Sequence, residues 1–329
     1  MEINICFATN DRYAPHAAAL IASIMENKLP EDELSFHFFS DKTSPAVQNV
    51  FRQMSRQLGF QLTIYEMSDE QFADFPIFQG SRTPYFRLSM HRFLPATLDK
   101  IVYLDCDMIV TTSLSELFSI DISGHYAAVV AEALKVPHLP IEYPYFNSGM
   151  MILNLGKYRN ENMEEVAIKF GHEHPDWVLF ADQCILNYIF KGNVICLPLK
   201  WNMVFSHHDF EKILLSNGRE PYPHTEYEIH EAVTNPSIIH YVWKPKPWQH
   251  DCTHPKKVFY WKYAKKTPFY KQVRYEYYKA STIHLLRTMP QTLPTVVMQA
   301  VKWPERMLRR GIIKPLKAFL GVKKQTQRQ

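Results

Sequence analysis

The segment Lys100-Ile-Val-Tyr-Leu-Asp-Cys-Asp-Met-Ile-Val110 places two aspartates inside an otherwise apolar stretch. In an extended chain, residues two apart point to the same side, so Asp105 and Asp107 are predicted to project together. Two neighbouring carboxylates repel each other unless a cation lies beside them, and hard divalent cations prefer oxygen ligands. The segment therefore favours a divalent metal site. The alternative, in which one aspartate caps a turn and the other is solvated at a strand end, stays open.

Strand and helix patterns alternate upstream of this segment. Strands are predicted over 3–9, 34–39 and 61–65, and helices over 14–25 and 44–58. This β-α-β-α-β order predicts an α/β fold with a mixed, mostly parallel sheet flanked by helices. In such sheets the ligand crevice lies beyond the carboxyl ends of the strands, which is where Asp105 and Asp107 are expected.

The patterns downstream are shorter and less regular. Strands are predicted over 101–104, 126–131, 150–155, 193–197 and 237–242, helices over 161–170 and 182–190, and a polar surface excursion over 206–235. Some of the later strands lack full helical crossovers between them, so they are expected to pair antiparallel. His240 closes the last apolar run, where its imidazole would face the same crevice as a third metal ligand. A structural core histidine is the alternative interpretation.

The charge distribution divides the chain. With 329 residues, 46% hydrophobic and 21% charged, the composition is that of a globular protein. Residues 1–255 carry 19 Lys/Arg and 31 Asp/Glu, for a net charge of −12, whereas residues 256–329 carry 18 and 2, for +16. We therefore predict an acidic domain over 1–255 and a basic C-terminal region over 256–329.

The cysteines and the N-terminus bear on the compartment. Five cysteines without a C-x-x-C pair do not form a complete disulfide framework, which favours a reducing compartment. The N-terminus has no secretory signal pattern, and no apolar run approaches the roughly 18 residues that span a bilayer. A cytoplasmic protein, soluble or bound to a surface, is expected.

The end of the basic region has an amphipathic pattern. Residues 302–328 hold nine Lys/Arg and one Glu, and apolar residues recur at spacings of three to five, namely Trp303, Met307, Leu308, Ile312, Leu316, Phe319 and Leu320. This pattern is typical of interfacial helices that bind anionic lipid. Nucleic acid is the rival polyanion, but no module that reads it is evident, so no nucleic-acid partner is predicted.

Six short motifs occur in a fixed order along about 250 residues. They are Phe7-Ala-Thr-Asn-Asp-Arg-Tyr13, Tyr85-Phe-Arg-Leu88, Tyr103-Leu-Asp-Cys-Asp107, Phe146-Asn-Ser-Gly149 with its continuation to Leu155, Asp182-Gln183 with Ile185-Leu-Asn187, and His240-Tyr241 with Lys246-Pro-Trp248. Together they resemble glycosyltransferase family 8, the retaining enzymes typified by bacterial lipopolysaccharide galactosyl- and glucosyltransferases.

The resemblance implies a GT-A fold, a UDP-hexose donor and a divalent metal, Mn²⁺ or Mg²⁺. It also implies roles for individual residues: a uridine pocket of Ala8, Asn10 and Tyr13, metal ligands Asp105, Asp107 and His240, donor contacts from Arg87 and Lys246, and a sugar pocket of Glu132, Asn147, Asp182 and Gln183.

The resemblance further implies a mechanism and an acceptor. Gln183 is expected nearest the far face of the sugar, yet an amide is a weak nucleophile. We therefore favour attack by the acceptor hydroxyl on the same face as the leaving group, with Gln183 stabilising the positive charge. The implied acceptor is a lipid-linked oligosaccharide such as lipopolysaccharide core. The enzyme is then expected at the cytoplasmic face of the inner membrane, held there by its basic region.

The sequence departs from the family pattern in places, and other functions stay open. Trp243 stands where the family usually has glycine, and Asn10, Arg12 and Glu132 replace Asp, Asn and Asp. A haloacid-dehalogenase type phosphatase would also use a pair such as Asp105 and Asp107, although Ile109 stands where such enzymes carry threonine. A non-catalytic membrane-bound scaffold is the third interpretation.

Overall fold

The computed structural model describes residues 1–78, 80–132, 136, 139–204, 223–242 and 244–288, with side chains described to residue 282 in the last helix. The chain divides into two compact units, residues 1–242 and 243–329. The boundary that we predicted from the charge reversal, between residues 255 and 256, lies within the second unit.

The described residues form nine strands and ten α-helices. The strands are β1 Glu2–Thr9, β2 Glu33–Ser40, β3 Gln61–Glu66, β4 Lys100–Leu104, β5 Met108–Val110, β6 Ala127–Ala131, β7 Phe146–Asn154, β8 Val194–Cys196 and β9 Ile238–His240. The helices are α1 Ala14–Asn27, α2 Pro45–Leu58, α3 Phe86–Ser89, α4 Ser115–Phe118, α5 Leu155–Asn160, α6 Met163–Glu173, α7 Asp182–Phe190, α8 Glu226–Thr234, α9 Lys257–Ala264 and α10 Tyr270–Thr288.

Seven of these strands form one mixed sheet in the order β3-β2-β1-β4-β7-β6-β8. The first four strands in that order are mutually parallel. Strand β7 is antiparallel to both β4 and β6, and β8 is parallel to β6. The mostly parallel α/β sheet and the antiparallel pairing of later strands are therefore confirmed.

A second, two-stranded sheet brings distant parts of the sequence together. Strand β5 pairs antiparallel with β9, and Met108 lies opposite His240. Because Met108 directly follows Asp107, this register places the two predicted metal-binding segments side by side.

Local sequence signals account for the helices that pack on the sheet. Helix α2 begins after Ser44, whose side chain accepts the Val47 N–H, and it ends at Gly59, which adopts a left-handed conformation at φ 73°. Between α2 and the strands, the rings of Phe7 and Phe38 stack with centroids 5.2 Å apart. Burying each such ring contributes roughly 1.5–3 kcal/mol.

Two predictions about the central part of the chain need correction. Helix α8 lies within the region 206–235, where we predicted only a polar excursion. A capping box formed by Thr225 and Glu228 begins this helix, and its pattern was present in the sequence. Strand β7 begins at Phe146 rather than at 150. Its first residues include the polar Asn147 and Ser148, which are buried in the site described below. Residues 206–222 of the excursion lie outside the described residues.

The second unit contains α9 and α10. Tyr260 and Tyr263 of α9 are buried, and the indole N–H of Trp261 donates to the Pro247 carbonyl at 3.1 Å. Within the described part of the chain, none of the helices has the length and apolar character of a transmembrane span. The amphipathic pattern over 302–328 lies outside the described residues.

Candidate active site

Asp105, Asp107 and His240 converge at the carboxyl end of β4. The Nε2 atom of His240 lies 3.2 Å from Asp107 Oδ1 and 3.8 Å from Asp105 Oδ2. One ligand atom from each residue lies within 4.8 Å of the others. Two carboxylates and an imidazole suit a divalent cation such as Mn²⁺ or Mg²⁺, so the three residues fit the metal that the resemblance implies.

The aspartates reach this position through a turn at Cys106 and Asp107, not through the extended chain that we predicted. The Asp105 N–H donates to the Gly149 carbonyl at 2.8 Å, whereas the Asp107 carbonyl accepts the Tyr241 N–H at 3.0 Å. The chain must turn between them because these contacts belong to two different sheets. The Cys106 thiol donates to the Ala8 carbonyl at 3.2 Å, so it points towards β1.

Gly149 of β7 lies against this cluster. A Cβ atom built on Gly149 would lie 2.4 Å from His240 Cε1 and 2.7 Å from Asp105 Oδ2. Only glycine allows the β7 backbone to approach this closely. Gly149 ends the motif Phe146-Asn-Ser-Gly149, but its contact with the side chains of Asp105 and His240 was not predicted.

Arg87 lies buried between two carboxylates. Its Nη2 atom lies 2.9 Å from Asp105 Oδ1, and its Nε atom lies 3.0 Å from Asp182 Oδ2. The guanidinium also lies 4.1 Å from the centre of the Tyr103 ring. Burial opposes the charged form of Arg87, but Asp105 and Asp182 raise its pKa above the ordinary value. Burial raises the pKa of Asp182 to about 7, although Arg87 acts in the opposite direction.

The predicted sugar-pocket residues lie together. The Asn147 side-chain amide donates to Glu132 Oε1 at 3.1 Å, and Gln183 Nε2 donates to Glu132 Oε2 at 3.5 Å. The main-chain N–H of Ser148 donates to Gln183 Oε1 at 3.1 Å. Burial raises the pKa of Glu132 to about 7, while its amide partners oppose the increase. Both ends of the Gln183 amide are therefore held by hydrogen bonds.

The first loop lies beside the metal-binding turn. Asn10 Oδ1 accepts the N–H groups of Arg12 and Tyr13 at 3.1 and 3.2 Å, which orders the entry to α1. Burial and the nearby Asp107 carboxylate raise the pKa of Tyr13 to about 12. A cavity of about 200 Å³ is lined by Asn10, Asp41, Asp69, Ile77, Gly80, Ser81 and Arg82.

Lys246, Pro247 and Trp248 of the closing motif belong to the second unit. Lys246 is buried, and its main-chain N–H donates to Gln249 Oε1 at 2.6 Å. Its contact with the donor stays a prediction. Trp243 lies outside the described residues.

Asn202 also belongs to the site and was not predicted from the sequence. It is buried at the end of a short 3₁₀ helix, Leu199–Asn202, and its Oδ1 atom lies 2.9 Å from His240 Nδ1. Neither spacing nor composition distinguishes Asn202 in the sequence, because the short segment 199–204 has no motif and no periodic pattern.

The sequence is similar to those of known proteins. The family model for glycosyl transferase family 8 matches residues 4–252. General stress protein A of Bacillus subtilis (strain 168) is 26% identical over 278 residues, which cover 80% of this chain and 94% of that protein. The lipopolysaccharide 1,2-glucosyltransferase of Escherichia coli (strain K12) is 24% identical over 268 residues, which cover 78% of this chain and 76% of that protein.

The fold is also shared with a solved structure. A crystal structure of the galactosyltransferase LgtC in complex with donor and acceptor sugar analogs is 25% identical in sequence and superposes with a TM-score of 0.69. The match covers 81% of this chain and 96% of that chain. The predicted GT-A fold is confirmed.

Proposed function

The chain belongs to glycosyltransferase family 8, and from this premise we propose that it transfers galactose or glucose from UDP-hexose to a lipid-linked oligosaccharide, with retention of configuration. The observation that carries the proposal is the convergence of Asp105, Asp107 and His240 beside a hydrogen-bonded pocket of Glu132, Asn147 and Gln183. The first three residues would hold a divalent cation with the donor diphosphate, and the neighbouring pocket would bind the donor sugar.

Asp105, Asp107 and His240 would hold the divalent cation. When bound, the cation neutralises the charge that develops on the UDP leaving group as the bond to the sugar breaks. The buried guanidinium of Arg87 holds Asp105 in place through its 2.9 Å contact, and Asp182 in turn holds Arg87. We assign Asp182 the role of positioning Arg87, since its carboxylate is committed to that ion pair.

Gln183 would act beside the reacting carbon. Its Oε1 atom accepts the Ser148 N–H and keeps a second lone pair, so its dipole has a fixed direction before the substrate binds. A preorganised dipole stabilises developing positive charge without reorganisation. In same-face attack, the acceptor oxygen bonds to the anomeric carbon as the bond to UDP breaks, and a phosphate oxygen takes the acceptor proton. Glu132 and Asn147 would bind sugar hydroxyls.

The donor nucleotide would bind along the first loop. Ala8, Asn10 and Tyr13 lie next to the metal-binding turn through the contact between Cys106 and the Ala8 carbonyl. A uridine in this loop would therefore have its diphosphate directed towards Asp105 and Asp107. The cavity beside Asn10 supports this placement.

We propose lipopolysaccharide core as the acceptor, since the E. coli relative is a lipopolysaccharide 1,2-glucosyltransferase. A lipid-linked acceptor is also consistent with the +16 charge of residues 256–329, because anionic lipid attracts clustered lysine and arginine and would keep the protein near such an acceptor. The enzyme would then be peripheral at the cytoplasmic face of the inner membrane.

The donor assignment is tested by measuring UDP release from UDP-galactose, UDP-glucose and other UDP-sugars in the presence of Mn²⁺. We expect turnover with one of the two hexoses, and loss of turnover in Asp105→Asn and Asp107→Asn. Asp74→Asn, a change at an exposed aspartate of the same unit, serves as the control. Release of inorganic phosphate instead of UDP would indicate a phosphatase, and inertness towards every UDP-sugar would indicate a scaffold.

A further inference from the structure

Asn202 connects the metal-binding cluster to the sugar pocket. Its Oδ1 atom lies 2.9 Å from His240 Nδ1, and its Nδ2 atom donates to Asn147 Oδ1 at 3.0 Å. All three side chains are buried. Asn202 is therefore the link between two groups of residues with different tasks.

The backbone around Asn202 holds it beside β9. The Met203 N–H donates to the Ile238 carbonyl at 3.0 Å, and the Met203 carbonyl accepts the His240 N–H at 2.9 Å. These bonds make Met203 the bridge partner of Ile239, the residue directly before His240. The side chain of Asn202 thus has a fixed origin relative to the imidazole.

The orientation of each amide follows from a main-chain donor. The Gly149 N–H donates to one side-chain atom of Asn147 at 3.0 Å, and that atom must be the oxygen because an N–H requires an acceptor. The atom of Asn202 that contacts the same oxygen must be its nitrogen. The other atom of Asn202, which faces His240, must then be its oxygen.

An oxygen facing His240 Nδ1 requires a proton on that nitrogen. The other ring nitrogen, Nε2, then presents its lone pair towards Asp105 and Asp107. We propose that Asn202 is a positioning residue that fixes His240 in the Nδ1–H tautomer, so that Nε2 is ready to bind a divalent cation. Hydrogen bonds of this kind set both the tautomer and the orientation of metal-binding histidines.

The same chain of bonds continues into the sugar pocket. With its oxygen turned towards Asn202 and Gly149, Asn147 directs its nitrogen to Glu132. Glu132 then accepts from both Asn147 and Gln183. The assignment of the cation rests on the proposed function, whereas the tautomer of His240 does not.

Two variants separate the two bonds of Asn202. Asn202→Leu removes both the acceptor for His240 and the donor for Asn147 while keeping a similar volume. Asn202→Asp keeps an acceptor for His240 but loses the donor, so it repels the Asn147 oxygen. Asn235→Leu, at the exposed residue after α8 in the same unit, is the control.

The tautomer is measured in the full-length, metal-free protein by long-range ¹H–¹⁵N NMR of histidine side chains, with the His240 signals identified by their loss in His240→Gln. The protein has 15 histidines, so selective ¹⁵N-histidine labelling limits the spectrum to a small number of side chains. We expect a protonated Nδ1 in the wild type and in Asn202→Asp, and a mixture of tautomers in Asn202→Leu. A protonated Nε2 in the neutral wild-type imidazole would overturn the inference.

Metal binding is measured independently of catalysis by the electron paramagnetic resonance signal of free Mn²⁺. We expect Asn202→Leu to weaken Mn²⁺ binding by about 10-fold or more. Asn202→Asp should keep the affinity within a few-fold but lower kcat, since the Asn147 contact is lost. Should Asn202→Leu fail to fold, the Asp variant decides: lost Mn²⁺ binding with a folded circular dichroism spectrum overturns the inference.

A failure of the proposed function gives a different pattern. A wild type that binds Mn²⁺ through an Nδ1–H His240 but turns over no UDP-hexose refutes the donor and leaves the role of Asn202 intact. Unchanged tautomer and unchanged Mn²⁺ affinity in Asn202→Leu, with UDP-hexose turnover in the wild type, refutes the role of Asn202 alone.

Discussion

Gly149 and His240 are packed so closely that a single added carbon on the glycine would lie 2.4 Å from the imidazole Cε1. The two residues belong to different sheets, β7 of the main sheet and β9 of the small one. The position of His240 is therefore restricted by the backbone of β7, a strand that carries none of the three predicted metal ligands.

Gly149→Ala is expected to displace His240 and Asp105, because neither can yield without leaving the cluster. We expect Mn²⁺ affinity to fall by about 10-fold or more, as for changes in the surroundings of metal ligands generally, and UDP-hexose turnover to fall with it. Titration calorimetry with Mn²⁺ measures the first effect.

Two other glycines are matched controls for that variant. Gly124→Ala meets no atom within 4 Å and should leave Mn²⁺ affinity unchanged. Gly171→Ala would clash with the Phe75 ring, so it should lower the melting temperature without weakening Mn²⁺ binding in the folded protein. Equal Mn²⁺ affinity in Gly149→Ala and Gly124→Ala would contradict the close packing.

The Glu132 carboxyl makes stability depend on pH. Its pKa is raised by burial from 4.5 to about 7 in the folded protein. Between these values the folded state binds a proton that the unfolded state has lost, so the free energy of unfolding falls as pH rises from 4.5 to 7. Glu132→Gln removes this part of the slope and is expected to stabilise the metal-free protein at pH 8 by about 3 kcal/mol relative to wild type.

Urea unfolding in EDTA at pH 5 and pH 8 measures that difference. Asp182, whose pKa is also about 7, contributes a slope of the same sign that remains in the variant. Glu165→Gln, at an exposed position of α6, is the control and should follow the wild type. If Glu132→Gln is no more stable than wild type at pH 8, ionisation of Glu132 does not lower the free energy of unfolding, and the prediction is wrong.

Removal of the Gln183 amide should slow the chemical step. Gln183→Ala deletes the dipole that Ser148 and Glu132 orient, and losing one preorganised group costs on the order of 100-fold in kcat. The KM for UDP-hexose should change much less, because the proposed function assigns the diphosphate to the cluster of Asp105, Asp107 and His240 rather than to Gln183. Steady-state kinetics with Gln57→Ala, an exposed residue of α2, as control measures both. A full rate in Gln183→Ala would refute its placement beside the reacting carbon.

Truncation after residue 300 should weaken binding to anionic vesicles and raise solubility. The removed segment includes the nine Lys/Arg of 302–328, each worth about 1 kcal/mol near an anionic surface. Co-sedimentation with phosphatidylglycerol vesicles measures this, with phosphatidylcholine vesicles as the control. Retained turnover of UDP-hexose shows that the shortened chain is folded, and unchanged vesicle binding would defeat the prediction.

The sequence predicted those parts of the site that lie next to a regular pattern. Asp105 and Asp107 are visible because they interrupt an apolar run, and His240 because it ends one. The bounds of β1, β2 and α2 were predicted to within one or two residues, since period and caps agree there.

What the sequence did not predict depends on contacts between distant segments. The turn at Cys106 exists because β4 and β5 join different sheets, which no local pattern encodes. Asn202 becomes important only when β9 lies beside it, and Gly149 only when His240 lies against it. Hydrogen-bond partners far apart in sequence have no periodicity, so their roles emerge from the fold alone.

The pairing of β5 with β9 has a consequence for folding. It joins Met108 to His240 across a long stretch of chain that includes β6, β7 and β8. A cation held by Asp107 and His240 would act as a cross-link at the same place. The folded chain has already lost the conformational entropy that closing this large loop requires, so binding the cation there adds no further loop-closure cost. Mn²⁺ would thereby oppose global unfolding of the first unit, and metal loss in the cell would expose the enzyme to degradation as well as stop its reaction.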